Sequence, residues 1–224
     1  MDVVYEDNHL IIVNKRCGEI VQGDKTGDRT LADDVKAYLK EKYAKPGNVF
    51  VGVAHRLDRP VCGLVVLAKT SKALSRLNDM FRKGEVHKTY WALTKSCPKL
   101  EEATITHWIT RNERQNKSYA HDRPTREGKE ATLRYRLLSR SQNYSLLEVE
   151  LLTGRHHQIR CQLAHIGCPI KGDLKYGADR SNPDGGISLQ SHHVEFEHPV
   201  SHQLISITAP LPDERLWREI CPND

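Results

Sequence analysis

Asp58 stands between two arginines in the run His55-Arg56-Leu57-Asp58-Arg59-Pro60-Val61-Cys62-Gly63, directly ahead of the apolar stretch Leu64-Val65-Val66-Leu67-Ala68. Two guanidinium groups a few ångströms away favour the charged form of a carboxylate, and Pro60 and Gly63 mark a turn, not helix interior. An ionised aspartate on a rigid turn is a candidate nucleophile. An Arg-Asp-Arg triplet by itself is more often a surface ion pair. What shifts the reading is a second segment, Leu152-Thr153-Gly154-Arg155-His156-His157-Gln158-Ile159-Arg160, which gathers two arginines and two histidines around a glycine turn.

The elements that must carry these residues follow from periodicity. Residues 9–14 form a short apolar run suited to a buried strand, 18–27 read as loop, and Leu31, Val35 and Leu39 mark one helix face capped by Thr30 and ended before Pro46-Gly47. Residues 64–68 are strand-like again. Ser71 opens a second helix with Leu74, Leu77 and Phe81 inward, closed by Gly84. Residues 88–94 and 145–152 alternate as strands, 157–166 form a short helix stopped by Gly167, and 187–196 and 204–209 are β-rich. Strands outnumber helices without regular alternation, so the pattern predicts an α+β fold with a largely antiparallel sheet.

The chain has 224 residues, enough to bury a proper core as one large domain or two subdomains. No stretch has the length and apolarity of a membrane span, and no charged-then-apolar leader is visible, so a cytoplasmic protein is expected. Six cysteines show neither a Cys-x-x-Cys pair nor zinc-finger spacing and are read as reduced thiols. The histidines near the C-terminus, His192, His193, His198 and His202, lack a matching carboxylate set, so no metal is expected. Net charge is +5, and between Arg111 and Arg136 eight Lys/Arg face four acids, with Tyr119 and His121 interleaved. That stretch reads equally as a phosphate-contacting flap or as a solvated hairpin.

Four ordered blocks carry a resemblance to a known family. They are the opening Val4 to Lys15, the Asp58 run through Lys69, the middle Lys88-Thr89-Tyr90-Trp91-Ala92-Leu93, and the Arg155 segment with its continuation Lys171-Gly172-Asp173-Leu174-Lys175-Tyr176-Gly177. Together they resemble the RluA-type RNA pseudouridine synthases. The resemblance implies that family's catalytic fold, a curved mixed sheet flanked by helices and loops around a central cleft. It also implies a single catalytic domain over 1–224, divisible into two subdomains, without an appended N-terminal RNA-binding domain. Its reaction breaks the bond from the ribose anomeric carbon to the base nitrogen, turns the uracil and rejoins it through carbon 5. No atom is gained or lost, so no cofactor is expected.

By the same resemblance Asp58 matches the catalytic carboxylate, Arg155 the arginine that pairs with it, and Tyr90 the aromatic lying against the target base. Because the target is stacked within RNA, it must leave its helix or loop first. Arg56 is the candidate contact on the RNA side, with His55 as its neighbour, and Lys88, Arg160 and Lys171 are candidate phosphate partners. The implied partner is structured rRNA or tRNA, with no obligate protein partner and a monomer sufficing. Val61-Cys62 replaces the family's usual hydroxyl-bearing pair, a change read as structural, not catalytic. The competing reading is a non-catalytic RNA-binding module of the same fold, which has no reason to retain Asp58, Tyr90 and Arg155 together. A glycosidase would need a second flanking acid and a metal nuclease would need clustered carboxylates.

Overall fold

The computed structural model describes residues 1–23 and 27–221, so part of the expected loop 18–27 lies outside the described residues. In chain order its elements are β1 (Asp2–Glu6), β2 (Leu10–Lys15), α1 (Leu31–Lys42), β3 (Gly52–Val53), β4 (Cys62–Ala68), α2 (Ser71–Lys83), β5 (His87–Thr94) and β6 (Glu102–Asn112). There follow β7 (Lys117–His121), β8 (Lys129–Arg140), β9 (Ser145–Leu151), α3 (Gln158–His165), a 3-10 turn (Leu174–Tyr176), β10 (Leu189–Glu197), β11 (Leu204–Thr208) and α4 (Arg215–Ile220). The chain divides into two compact units, Met1–Lys88 with Ser191–Pro210, and Thr89–Gln190 with the segment from Leu211 onward.

In the first unit, β2 and β4 are apolar on both faces, as strands covered on both sides must be. They pair antiparallel from Leu10↔Ala68 to Lys15↔Gly63, with β1 on the far side of β2 and β10, then β11, beyond β4. Alternation sends Leu10, Ile12, Leu64 and Val66 to one face, where they pack with Ala73 and Leu77 of α2 and Val194 and Phe196 of β10. α2 begins at Ser71, as the apolar pattern indicates, with Thr70 Oγ1 accepting the Ala73 N–H as its cap. It ends at Gly84 in the left-handed region, with Glu85 N–H donating to Met80 O. α1 opens with a reciprocal cap between Thr30 and Asp33 and buries Leu31, Ala32, Val35 and Leu39.

Glu6 gathers the ends of three elements. Its carboxylate accepts from Tyr38 and Lys42 of α1, from Tyr43 just beyond, and from Lys69 after β4. Burial alone would raise its pKa, but these donors pull it down to about 2.

The second unit is an antiparallel sheet in the order β5-β9-β8-β6-β7. Leu93 and Leu146 are covered by Trp217 and Ile220 of α4, and Ile109 and Ala131 by Cys161 of α3 and Tyr176. The basic stretch 111–136 forms the end of β6, all of β7 and the start of β8, an exposed hairpin with strands longer than its charge pattern suggested. The fold is α+β, and no helix among the described residues is long and apolar enough to cross a membrane.

Candidate active site

Asp58 sits half-buried where the ladder between β2 and β4 ends, and the chain there is held by its backbone. Val61 N–H closes a turn on Asp58 O at 3.0 Å, and Gly18 N–H donates to Arg59 O at 2.9 Å. Under this turn lies Lys15, only 1 % exposed, whose Nζ donates to Arg16 O (2.9 Å), Arg59 O (3.1 Å) and Val61 O (2.6 Å). All three ammonium protons are thereby matched to carbonyls. Burial lowers the Lys15 pKa to about 8, opposed by the nearby Cys17, Cys62, Glu19 and Asp58. A buried cation thus braces the turn.

Gly63 is required by space. Its φ is +107°, and a Cβ there would meet Ser191 O of β10 at 2.3 Å. The sequence marks it as a turn residue; it is a close-approach glycine inside β4. Of the arginines expected to flank Asp58, Arg56 is exposed, whereas Arg59 donates from Nε to Gly18 O and pairs through Nη1 with Asp28 at 3.0 Å. The Cys62 thiol is pushed up in pKa by its hydrogen bond with Cys17 and by burial, so it is no thiolate nucleophile at neutral pH.

His55, expected as a neighbour of the RNA contact, is bonded within the first unit. Its Nε2 accepts the Val66 N–H at 2.9 Å, its ring lies 4.7 Å from Phe81, and burial, aided by Lys88, lowers its pKa to about 3. It is a neutral structural acceptor. Lys88 is half-buried with Nζ 5.2 Å from the Phe81 ring, and its pKa is lowered by burial.

In the second unit, Tyr90 lies on β5 opposite Val149 and is 5 % exposed. Arg155 is exposed, its Nε donating to Glu130 O and its N–H to Gln158 Oε1. Gln158 is a positioning residue that the sequence did not single out. Its buried amide also accepts from Thr153 and donates to Thr132 O, clamping the 153–158 turn. Arg160 and Lys171, expected as phosphate partners, are bonded within the second unit. Arg160 makes a buried two-pronged bond to Asp173 (2.7 and 2.9 Å), and Lys171 holds Asn182 and Glu214, each at 2.7 Å. The Tyr176 hydroxyl accepts from Ser118 N–H and is hydrogen-bonded to His157 Nδ1 at 2.8 Å, so the second histidine of the motif is held within the fold as well.

Comparison with known proteins bears on this arrangement directly. The family model described as RNA pseudouridylate synthase matches residues 9–165. The chain belongs to the RNA pseudouridylate synthase family. The match spans Asp58, Tyr90 and Arg155, while Lys171 falls beyond it. An RNA pseudouridine synthase of Bacillus subtilis, YlyB, named as uncharacterized, is 32 % identical over 96 % of this chain and 70 % of its own length. The ribosomal large subunit pseudouridine synthase D of Xylella fastidiosa is 34 % identical over 96 % of this chain and 67 % of that protein. The chain thus spans about two thirds of the curated relatives it matches. Among solved structures, human RNA pseudouridylate synthase domain containing 4 superposes with a TM-score of 0.79 at 22 % identity, covering 97 % of this chain and 90 % of that one. The pseudouridylate synthase fold expected from the motifs is therefore the fold observed.

Proposed function

We propose that the chain isomerises uridines in structured rRNA or tRNA to pseudouridine, with Asp58 as the catalytic carboxylate and Arg56, Tyr90 and Arg155 as substrate-binding residues, working as a cytoplasmic monomer. The observation that carries this is Asp58 presented on a turn whose carbonyls are tied down by the buried Lys15. A carboxylate carried on a turn that is fixed through its backbone keeps its position while the base turns. The exposed hairpin charges, Arg111, Arg114 and Arg126 around Tyr119, support an RNA substrate over a small one.

The test is to incubate purified wild type and Asp58→Ala with ribosomal and transfer RNA transcripts and map pseudouridine by carbodiimide primer extension. Wild type should create a defined stop that Asp58→Ala lacks, with RNA affinity retained. Equal, tight RNA binding by both proteins with no new pseudouridine in either would instead establish the non-catalytic module.

A further inference from the structure

In the second unit, three side chains from separate elements converge with no part in the reaction above. His107 projects from β6, Asp122 follows β7, and His165 ends α3. Their donor atoms all lie within 4.8 Å of one another. Asp122 Oδ1 is 2.7 Å from His165 Nε2 and 3.7 Å from His107 Nε2, and the two rings meet edge to face at 4.7 Å between centroids. Donors bound tetrahedrally at ~2.0–2.1 Å to a zinc-class ion stand roughly 3.3 Å apart, so the observed separations bracket the required ones.

We propose that His107, Asp122 and His165 bind a divalent transition metal of the zinc class, with water in the fourth position. Two imidazoles and one carboxylate are a ligand set for such ions and not for magnesium or calcium, which take oxygen. The site is graded from inside outward, with side chains 8 % exposed for His107, 31 % for His165 and 77 % for Asp122. A cation can therefore enter from solvent past the exposed Asp122. His165 is the last residue of α3, where the negative end of the helix dipole favours positive charge.

Behind the site, His107 Nδ1 faces the amide of Gln162, a residue with no exposure, at 2.9 Å. Such outer partners fix the ring of a metal-bound histidine. In the metal-free arrangement Gln162 Nε2 donates to Nδ1 and to Ala131 O, so the ring proton of His107 is on Nε2. Metal binding moves that proton to Nδ1. It also turns the Gln162 amide, giving up the bond to Ala131 O so that Oε1, buried and without a hydrogen-bond partner as it stands, accepts from the ring. The bound ion would tie the base of the β6–β7 hairpin to the end of α3.

The experiment is calorimetric titration of Zn²⁺ into the EDTA-stripped full chain near neutral pH. The exposed Cys97 is replaced by Ser throughout to remove a competing thiol. Asp122→Ala and His165→Ala are compared with this background, both at positions exposed enough to leave the fold intact. One site tighter than ~50 µM is expected, weakened at least ~10-fold in each variant, with no comparable heat from Mg²⁺. Zn²⁺ should also raise the melting temperature of the background protein more than that of either variant. No site of that affinity, or equal affinity in the variants, overturns the proposal and leaves adventitious surface chelation only.

Discussion

Lys15 shows how a buried side chain can set the geometry of the turn that carries the candidate carboxylate Asp58. Replacing it with Met keeps the volume but abandons three carbonyls around the Asp58 turn. Single-turnover assays should show the chemical step slowed by ~100-fold, beyond what any loss of folded protein explains. The lysine has a pH signature too. Its folded pKa of about 8 lies below its ordinary 10.5, so between these values the unfolded chain holds a proton that the folded chain has released. Its contribution to stability is therefore least favourable below about pH 8 and improves as pH rises toward 10.5, a slope that urea titrations should find missing in Lys15→Met. Gly63 makes the steric counterpart. Gly63→Ala forces a Cβ to 2.3 Å from Ser191 O at positive φ, and a loss of ~3 kcal/mol or more in urea unfolding is expected. Asp58 was legible in the sequence because its run is a recognisable block, whereas Lys15 was only a letter in another. Its role depends on where the ladder between β2 and β4 ends, which no local pattern encodes.

At the level of elements, caps and apolar stripes were readable wherever one local interaction decides the outcome. Gly84 is such a case, a left-handed helix end with open space around the missing Cβ. Gly84→Ala should cost only ~1 kcal/mol, the backbone penalty alone, and the contrast with Gly63→Ala separates strain from collision. The long strands β6 and β8 were harder to see. β6 alternates Ala103, Ile105, His107 and Ile109 with Thr104, Thr106 and Trp108, and the charged stretch that follows masks the sheet beneath it. Histidine in an inward slot breaks the apolar alternation on which strand recognition depends. Glu6 could not be read as a junction, because its donors come from positions 38, 42, 43 and 69. With its pKa lowered to about 2, Glu6 supplies stability that is fully present above its ordinary value of 4.5 and lost as pH falls toward 2. Glu6→Gln should be less stable at neutral pH by ~2 kcal/mol and should show a flatter acid limb, as thermal melts across pH 2–6 would report.

For the molecule as a whole, the net charge of +5 is less telling than its placement on the hairpin, where Arg111 and Arg126 are exposed. Changing both to Gln should weaken RNA binding at low salt and reduce the slope of log affinity against log salt by ~1 per lost phosphate contact, measured by filter binding. Asp58→Ala should leave that slope unchanged. The division into two units also has a temporal side. The strand that flanks β4 opposite β2 is β10, and Ser191 fills the space that Gly63 leaves. A ribosome releases β4 more than a hundred residues before β10, a gap of roughly ten seconds at ordinary elongation rates. Throughout that interval the apolar edge of β4 is a nascent-chain hazard, and the first unit cannot be completed until Ser191–Pro210 has been made.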